Sequence, residues 1–181
     1  MSFSPHSQPN LYKDCTRKQR QIGVCVASVM HSGTHLVFNM LRESMGCKGI
    51  SLQDIREGKP GVALFHLVDA HKGELRLSCP IITPMRHPVR ILESFRRRGK
   101  PQSEMESQFR NLDKLDPLFI HVDHIARDQH VKRVGDRLGI DLKTDWPLLS
   151  PKGTVGFKVT PERVSAIPGW IMDIYTHSLE T

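Results

Sequence analysis

The chain has 181 residues, 38% hydrophobic and 25% charged, which suits one soluble globular domain with its own core and excludes a fibre, a collagen or a disulfide-stapled miniprotein. Lys plus Arg number 26 against 19 Asp plus Glu, a formal charge of +7 before any of the ten histidines is protonated, so the expected partner is anionic. Charge alone does not choose among nucleic acid, an anionic lipid surface and a small phosphorylated ligand.

Residues 1–20 are polar and without hydrophobic period, and they read as a flexible arm in front of a single domain over residues 21–181. The run at 21–29, QIGVCVASV, is almost continuously apolar and β-branched, the pattern of a strand covered on both faces in a parallel sheet. Arg17, Lys18 and Arg20 before it imitate a signal peptide, but no A-x-A-like cleavage site follows. The apolar stretch is far short of the roughly 20 residues of a membrane-spanning helix, so no span is expected. Cys15, Cys25, Cys47 and Cys79 have neither C-x-x-C spacing nor zinc-finger histidines, and read as reduced thiols of a cytoplasmic chain.

From Thr34 the apolar residues Leu36, Val37, Met40 and Leu41 recur at helical spacing, with Gly46 placed as a C-terminal cap. Strands are expected at 62–68 and 80–85, the second short or at a sheet edge because of Pro80 and Pro84. A helix follows from about Pro88 to Gly99, and another over 101–115, where Ser103 and Glu106 have capping-box spacing. A strand at 118–122, a helix at 128–138 stopped by Gly139, a Pro/Lys/Gly-rich loop at 148–160 and a helix at 161–175 interrupted by Pro168-Gly169 complete the chain. Strands alternating with helices predict an α/β fold, three layers deep, with a mainly parallel sheet.

Two segments carry candidate chemistry. His31-Ser32-Gly33-Thr34-His35 joins the first strand to its helix, where free backbone N–H groups and the positive end of the helix dipole converge on one point, as phosphate binding requires. Gly33 lets the backbone approach a ligand, and the hydroxyls of Ser32 and Thr34 offer further donors. An ordinary turn with Ser or Thr as N-cap has the same composition. In RHPVRILESFRRR, Arg86 ends a strand and Ser94 lies eight residues on within a helix, so both can face one anion. Arg96, Arg97 and Arg98 also fit a solvated helix face.

SVMHSGTHLV, LFHL, RHPVRILESF and KGTVGFK, in that order, resemble the sulfotransferases that use 3′-phosphoadenosine 5′-phosphosulfate (PAPS). The resemblance spans about residues 21–175 and includes LFIHVDHI, similar to the family's strand and acidic turn. It implies a P-loop-like sulfotransferase fold and transfer of a sulfuryl group from PAPS to a hydroxyl or amine, leaving 3′-phosphoadenosine 5′-phosphate (PAP), with no metal required. On these motifs His31, Ser32, Gly33, Thr34 and His35 fall at the 5′-phosphosulfate. Arg86 and Ser94 fall at the 3′-phosphate, with Lys152 and Gly153 in a loop closing over it. His66 falls where the family has its catalytic base. His31 stands in place of the family's loop lysine and Pro151 in place of an arginine.

Read without the family, His66 also fits a core histidine, and His35, His71 and Glu43 are further base candidates. Phe65, Phe95, Phe109 and Trp146 fit core or rim positions, one of which could stack on adenine. His121, His124 and His130 have spacings of three and six that cross a predicted strand–helix boundary, so a metal site is not expected. The resemblance implies a small-molecule or carbohydrate acceptor. Two rival functions are a divergent P-loop phosphotransferase or NTPase, with Asp69 or Asp123 for magnesium, and a non-catalytic polyanion binder. The second needs charge spread along a surface and aromatic stacking, whereas only 6% of residues are aromatic, so nucleic acid is not the expected partner.

Overall fold

The computed structural model describes residues 22–68, 77–124, 127–143 and 158–181. Lys152, Gly153, Trp146, Asp69, His71 and the N-terminal arm lie outside the described residues. The β-branched run condenses into β1 (Gly23–Ser28), in which Val24, Cys25, Val26 and Ala27 are wholly buried. It is followed by α1 (Thr34–Met45), β2 (Gly49–Ile50), α2 (Leu52–Arg56), β3 (Gly61–His66), β4 (Ile81–Met85) and α3 (Pro88–Arg97). Then come α4 (Gln102–Leu112), β5 (Leu118–His121), α5 (Arg127–Leu138), α6 (Pro161–Ser165) and α7 (Gly169–Glu180).

The strands form one all-parallel five-stranded sheet in the order β2-β3-β1-β4-β5. Alternate residues of a strand point to opposite faces, and the two faces are covered by different helices. Val24 and Val26 of β1, with Val62, Ile82 and Ile120, pack against Val37, Met40 and Leu41 of α1 and Val131 and Val134 of α5. Ala27, Val29 and Met85 pack on the other side with Val89 and Phe95 of α3, Met105 and Phe109 of α4 and Ile171 of α7. The molecule is therefore a three-layer α/β structure. The tail breaks into α6 and α7 at Pro168-Gly169, as the sequence indicates.

Three expectations are corrected. First, β4 is not at the sheet edge but an inner strand between β1 and β5, although its pairing with β1 is short, as its prolines suggest. Cys25 N donates to the Pro80 carbonyl and Val122 N to the Met85 carbonyl, so by the alternation of a parallel ladder the missing N–H of Pro84 faces the Ala27 carbonyl. The Thr83 hydroxyl donates to that carbonyl at 2.9 Å, supplying the donor that Pro84 lacks. Pairing between β1 and β4 stops at Val26–Ile82, which leaves the carboxyl ends of the two strands unladdered.

Second, Ser103 and Glu106 form no capping box. The first helical residue of α4 is Gln102, so Ser103 lies inside the first turn, and Pro101 is the N-cap, with no side-chain hydrogen bond. A reciprocal box occurs instead at Ser51 and Asp54, which starts α2. Third, β3 stops at His66, two residues earlier than its apolar run.

Candidate functional site

Ligands of open parallel sheets bind at the carboxyl ends of strands, where neighbouring strands send their connections to opposite faces. Here β1 leads into α1 on one face and β4 into α3 on the other, and a cavity of about 470 Å³ opens beside them. Its lining is Met30, His31, Gly33, Thr34, His35, Leu36, His66, Arg86, Ser94 and Arg98. Segments widely separated in sequence thus meet at one cleft, and no carboxylate is among its described lining residues. A second cavity lies at the opposite, amino end of β5 and is lined by Leu118, Phe119, Asp113, Asp116 and Arg137.

The loop between β1 and α1 is held by internal bonds. Ser32 N and Oγ both reach the Val29 carbonyl, at 3.2 and 2.7 Å, and Met30 N donates to Gln108 Oε1 of α4 at 2.8 Å. Helix α1 begins after Gly33 with no side-chain cap and no acidic residue in its first turn. An uncapped N-terminus leaves backbone N–H groups and the positive dipole end facing the cleft. The expectation that the Ser32 and Thr34 hydroxyls donate to a phosphate is corrected. Ser32 is buried, off the cleft lining, and donates to Val29, whereas Thr34 Oγ1 donates to Ser28 Oγ at 2.8 Å. Backbone amides are the donors left for an anion.

Gly33 has φ +103°, and a Cβ there would sit 2.9 Å from Val122 Cγ1. Both the backbone and the space require glycine. Gly33→Ala is expected to lower the unfolding free energy by roughly 1–3 kcal/mol, read from the urea midpoint, because strain and overpacking act together. An unchanged midpoint would show that the loop has no such constraint.

His31, at φ 68°, is the one non-glycine residue in the left-handed region among the described residues, a strained conformation of the kind that collects at functional sites. Its ring packs edge-on against Phe95 at 5.3 Å. Burial, then the charges of Arg98 and Lys100, hold its pKa below the usual 6.5 despite the opposing effect of Glu104. At neutral pH His31 is therefore uncharged and offers a hydrogen bond rather than the cation of a lysine.

Arg86 leaves β4 into the cleft wall, and Ser94 faces the same space from α3. His87, the N-cap of α3, accepts from Val89 N at 3.3 Å and fixes the direction in which the helix departs. Arg98 also lines the cleft, one helical turn beyond Ser94. Its i+4 spacing from Ser94 was the available sequence signal, hidden within a run of three arginines that fits a solvated face equally well.

His66 ends β3 directly in register with Ser28 at the end of β1, and its Nδ1 lies 3.4 Å from Ser28 Oγ. Ser28 thus joins Thr34, the first residue of α1, to His66, a link the sequence does not reveal because 38 residues separate Ser28 from His66. Which ring nitrogen carries the proton sets the donor and acceptor roles in the Ser28 contact, and the imidazole lines the cleft. His35 lines the cleft as well, on the first turn of α1. Phe95 and Phe109 are core residues.

The folded chain does bring His121, His124 and His130 together, with ring centroids 4.7 to 6.0 Å apart, although their spacing crosses a strand–helix boundary. His121 Nε2 lies 2.9 Å from Ser178 Oγ of α7, and burial beside His130 pushes the His121 pKa down to about 3. Among the described residues no His, Cys, Asp and Glu group is arranged to hold a metal ion, and no helix is long and apolar enough to cross a membrane. No protein-family model, curated protein or solved structure matches the chain.

Proposed function

We propose that the protein is a PAPS-dependent sulfotransferase with a P-loop-like fold, acting on a hydroxyl or amine of a small-molecule or carbohydrate acceptor. The observation that carries the proposal is the convergence on one cleft, with no carboxylate among its described lining residues, of the open N-terminus of α1, Arg86 with Ser94, and His66. These are the positions at which the sulfotransferase motifs place the donor's two phosphate groups and the base. In this reading Arg86 and Ser94 anchor the 3′-phosphate, remote from the reacting sulfur. That anchor selects the donor over ATP and contributes binding energy to orientation.

His66 Nε2 accepts the acceptor's proton as its oxygen or nitrogen bonds to sulfur and the sulfur–phosphate oxygen bond breaks. The backbone amides of the loop and first turn of α1, with neutral His31 as a further donor, stabilise the charge that grows on the departing phosphate. Lys152 and Gly153 would close over the 3′-phosphate, by resemblance alone.

A magnesium-dependent phosphotransferase would use the same strand, loop and helix and would need a free carboxylate near the cleft. Asp123, the candidate just past β5, instead faces Arg86 and Arg90, at 3.8 and 3.5 Å. Calorimetric titration with PAP, AMP, ADP and ATP at matched salt separates the readings. Preference for PAP is expected, preference for ATP would favour phosphotransfer, and absence of binding to all four would remove the donor site.

A further inference from the structure

Asp123 lies two residues beyond β5, its side chain only 5% exposed, with both carboxylate oxygens 3.4 Å from His87 N. It faces two guanidinium groups at once, Arg86 from the end of β4 and Arg90 from the first turns of α3. Only Arg86 of the two lines the cleft. Its Nε is buried without a hydrogen-bond partner, and at 3.8 Å the Asp123 contact is an ion pair beyond hydrogen-bond reach. The guanidinium is therefore steered by Asp123 and still able to bond a second anion from the cleft.

We infer that Asp123 is a positioning residue for anion recognition, holding Arg86 at the cleft wall beside Ser94 and thereby setting the preference for a nucleotide with a 3′-phosphate over one without it. This rests on the donor reading above and adds a residue to it.

Positioning and simple electrostatics predict opposite results. Asp123→Asn keeps the side-chain shape and removes a negative charge near the cleft, so a purely electrostatic role would tighten PAP and AMP together, PAP the more. A positioning role weakens PAP selectively, because an unsteered guanidinium loses its fork geometry toward the 3′-phosphate.

The measurement is the ratio of the AMP and PAP dissociation constants, by calorimetry on the full chain, with Tm as a fold control. In Asp123→Asn the ratio is expected to fall about tenfold, the scale of one well-placed charged hydrogen bond. In Asp123→Glu, which keeps the charge but lengthens the arm by a methylene, it is expected to fall about threefold. Should Asp123→Asn not fold, because two half-buried arginines lose a shared counter-ion, Asp123→Glu decides alone. A wild-type preference for PAP that survives or rises in the folded variants overturns the role of Asp123 and leaves the donor reading intact. A wild-type ratio near one overturns both.

Discussion

Replacing Arg86 by alanine is expected to weaken PAP binding on the order of 10- to 100-fold while leaving AMP binding within about twofold of wild type. A hydrogen bond to a charged group is worth about 1.5–3 kcal/mol, and each 1.4 kcal/mol is a factor of ten in affinity. The selectivity follows from geometry. Arg86 stands at the end of β4 beside Ser94, whereas the amides of the loop and α1 approach the cleft from β1. On the proposed donor site, truncating Arg86 removes an anchor for one phosphate and spares the seat of the other. The fold should tolerate the change, since the side chain is partly exposed to the cleft and Asp123 retains Arg90. Calorimetry with both nucleotides and a thermal melt check the expectation. Equal losses for PAP and AMP would move Arg86 away from the 3′-phosphate, and an unchanged PAP affinity would sink the donor assignment.

The long periodic elements were legible in the sequence because each satisfies a pattern that packing enforces. The β-branched run of β1 is buried on both faces, and Leu36, Val37, Met40 and Leu41 mark α1, with Val37, Met40 and Leu41 turned into one apolar layer. The signal failed where structure is set by a single bond rather than a period. β2 has two residues and α2 five, too short for any period, although the Ser51–Asp54 box that starts α2 was readable as a local pattern. Pro84 argued for an edge strand, but the hydroxyl of its neighbour Thr83 meets the carbonyl that Pro84 leaves without a donor. No rule applied to Pro84 alone contains that compensation.

At the site, His31, Gly33, Thr34, His35, His66, Arg86 and Ser94 were picked from the sequence and now line one cleft. Ser32 was placed there too, but its hydroxyl is turned to Val29. Composition identifies a hydroxyl and not its direction. The sequence gives no sign of Ser28 or Gln108, and none of the link from Asp123 to the arginines, for the converse reason. Each acts through a partner 33 to 78 residues distant, by way of His66, Met30 and Arg90 or Arg86 respectively, and only the parallel register and the packing of α4 bring them together.

His66 should carry the largest effect on turnover. His66→Ala is expected to lower kcat by roughly 10²- to 10⁴-fold, the range of a positioned general base, with the PAP dissociation constant unchanged because the proposed mechanism gives His66 the proton transfer and not the 3′-phosphate. The assay is transfer of labelled sulfuryl from PAPS to an acceptor identified from a panel of hydroxyl and amine compounds. Imidazole in the buffer should restore part of the loss, since the vacated space at the end of β3 opens on the cleft. Ser28→Ala tests the same step from behind. Without Ser28 Oγ the Nδ1 side of His66 loses its 3.4 Å neighbour and Thr34 loses its 2.8 Å acceptor. A smaller fall in kcat, about tenfold, is expected as the imidazole loses the contact that orients it. An unaffected kcat in His66→Ala would assign the proton to another group, with His35 the next histidine on the cleft wall, whereas a parallel rise in the PAP dissociation constant would make His66 a donor-binding residue instead.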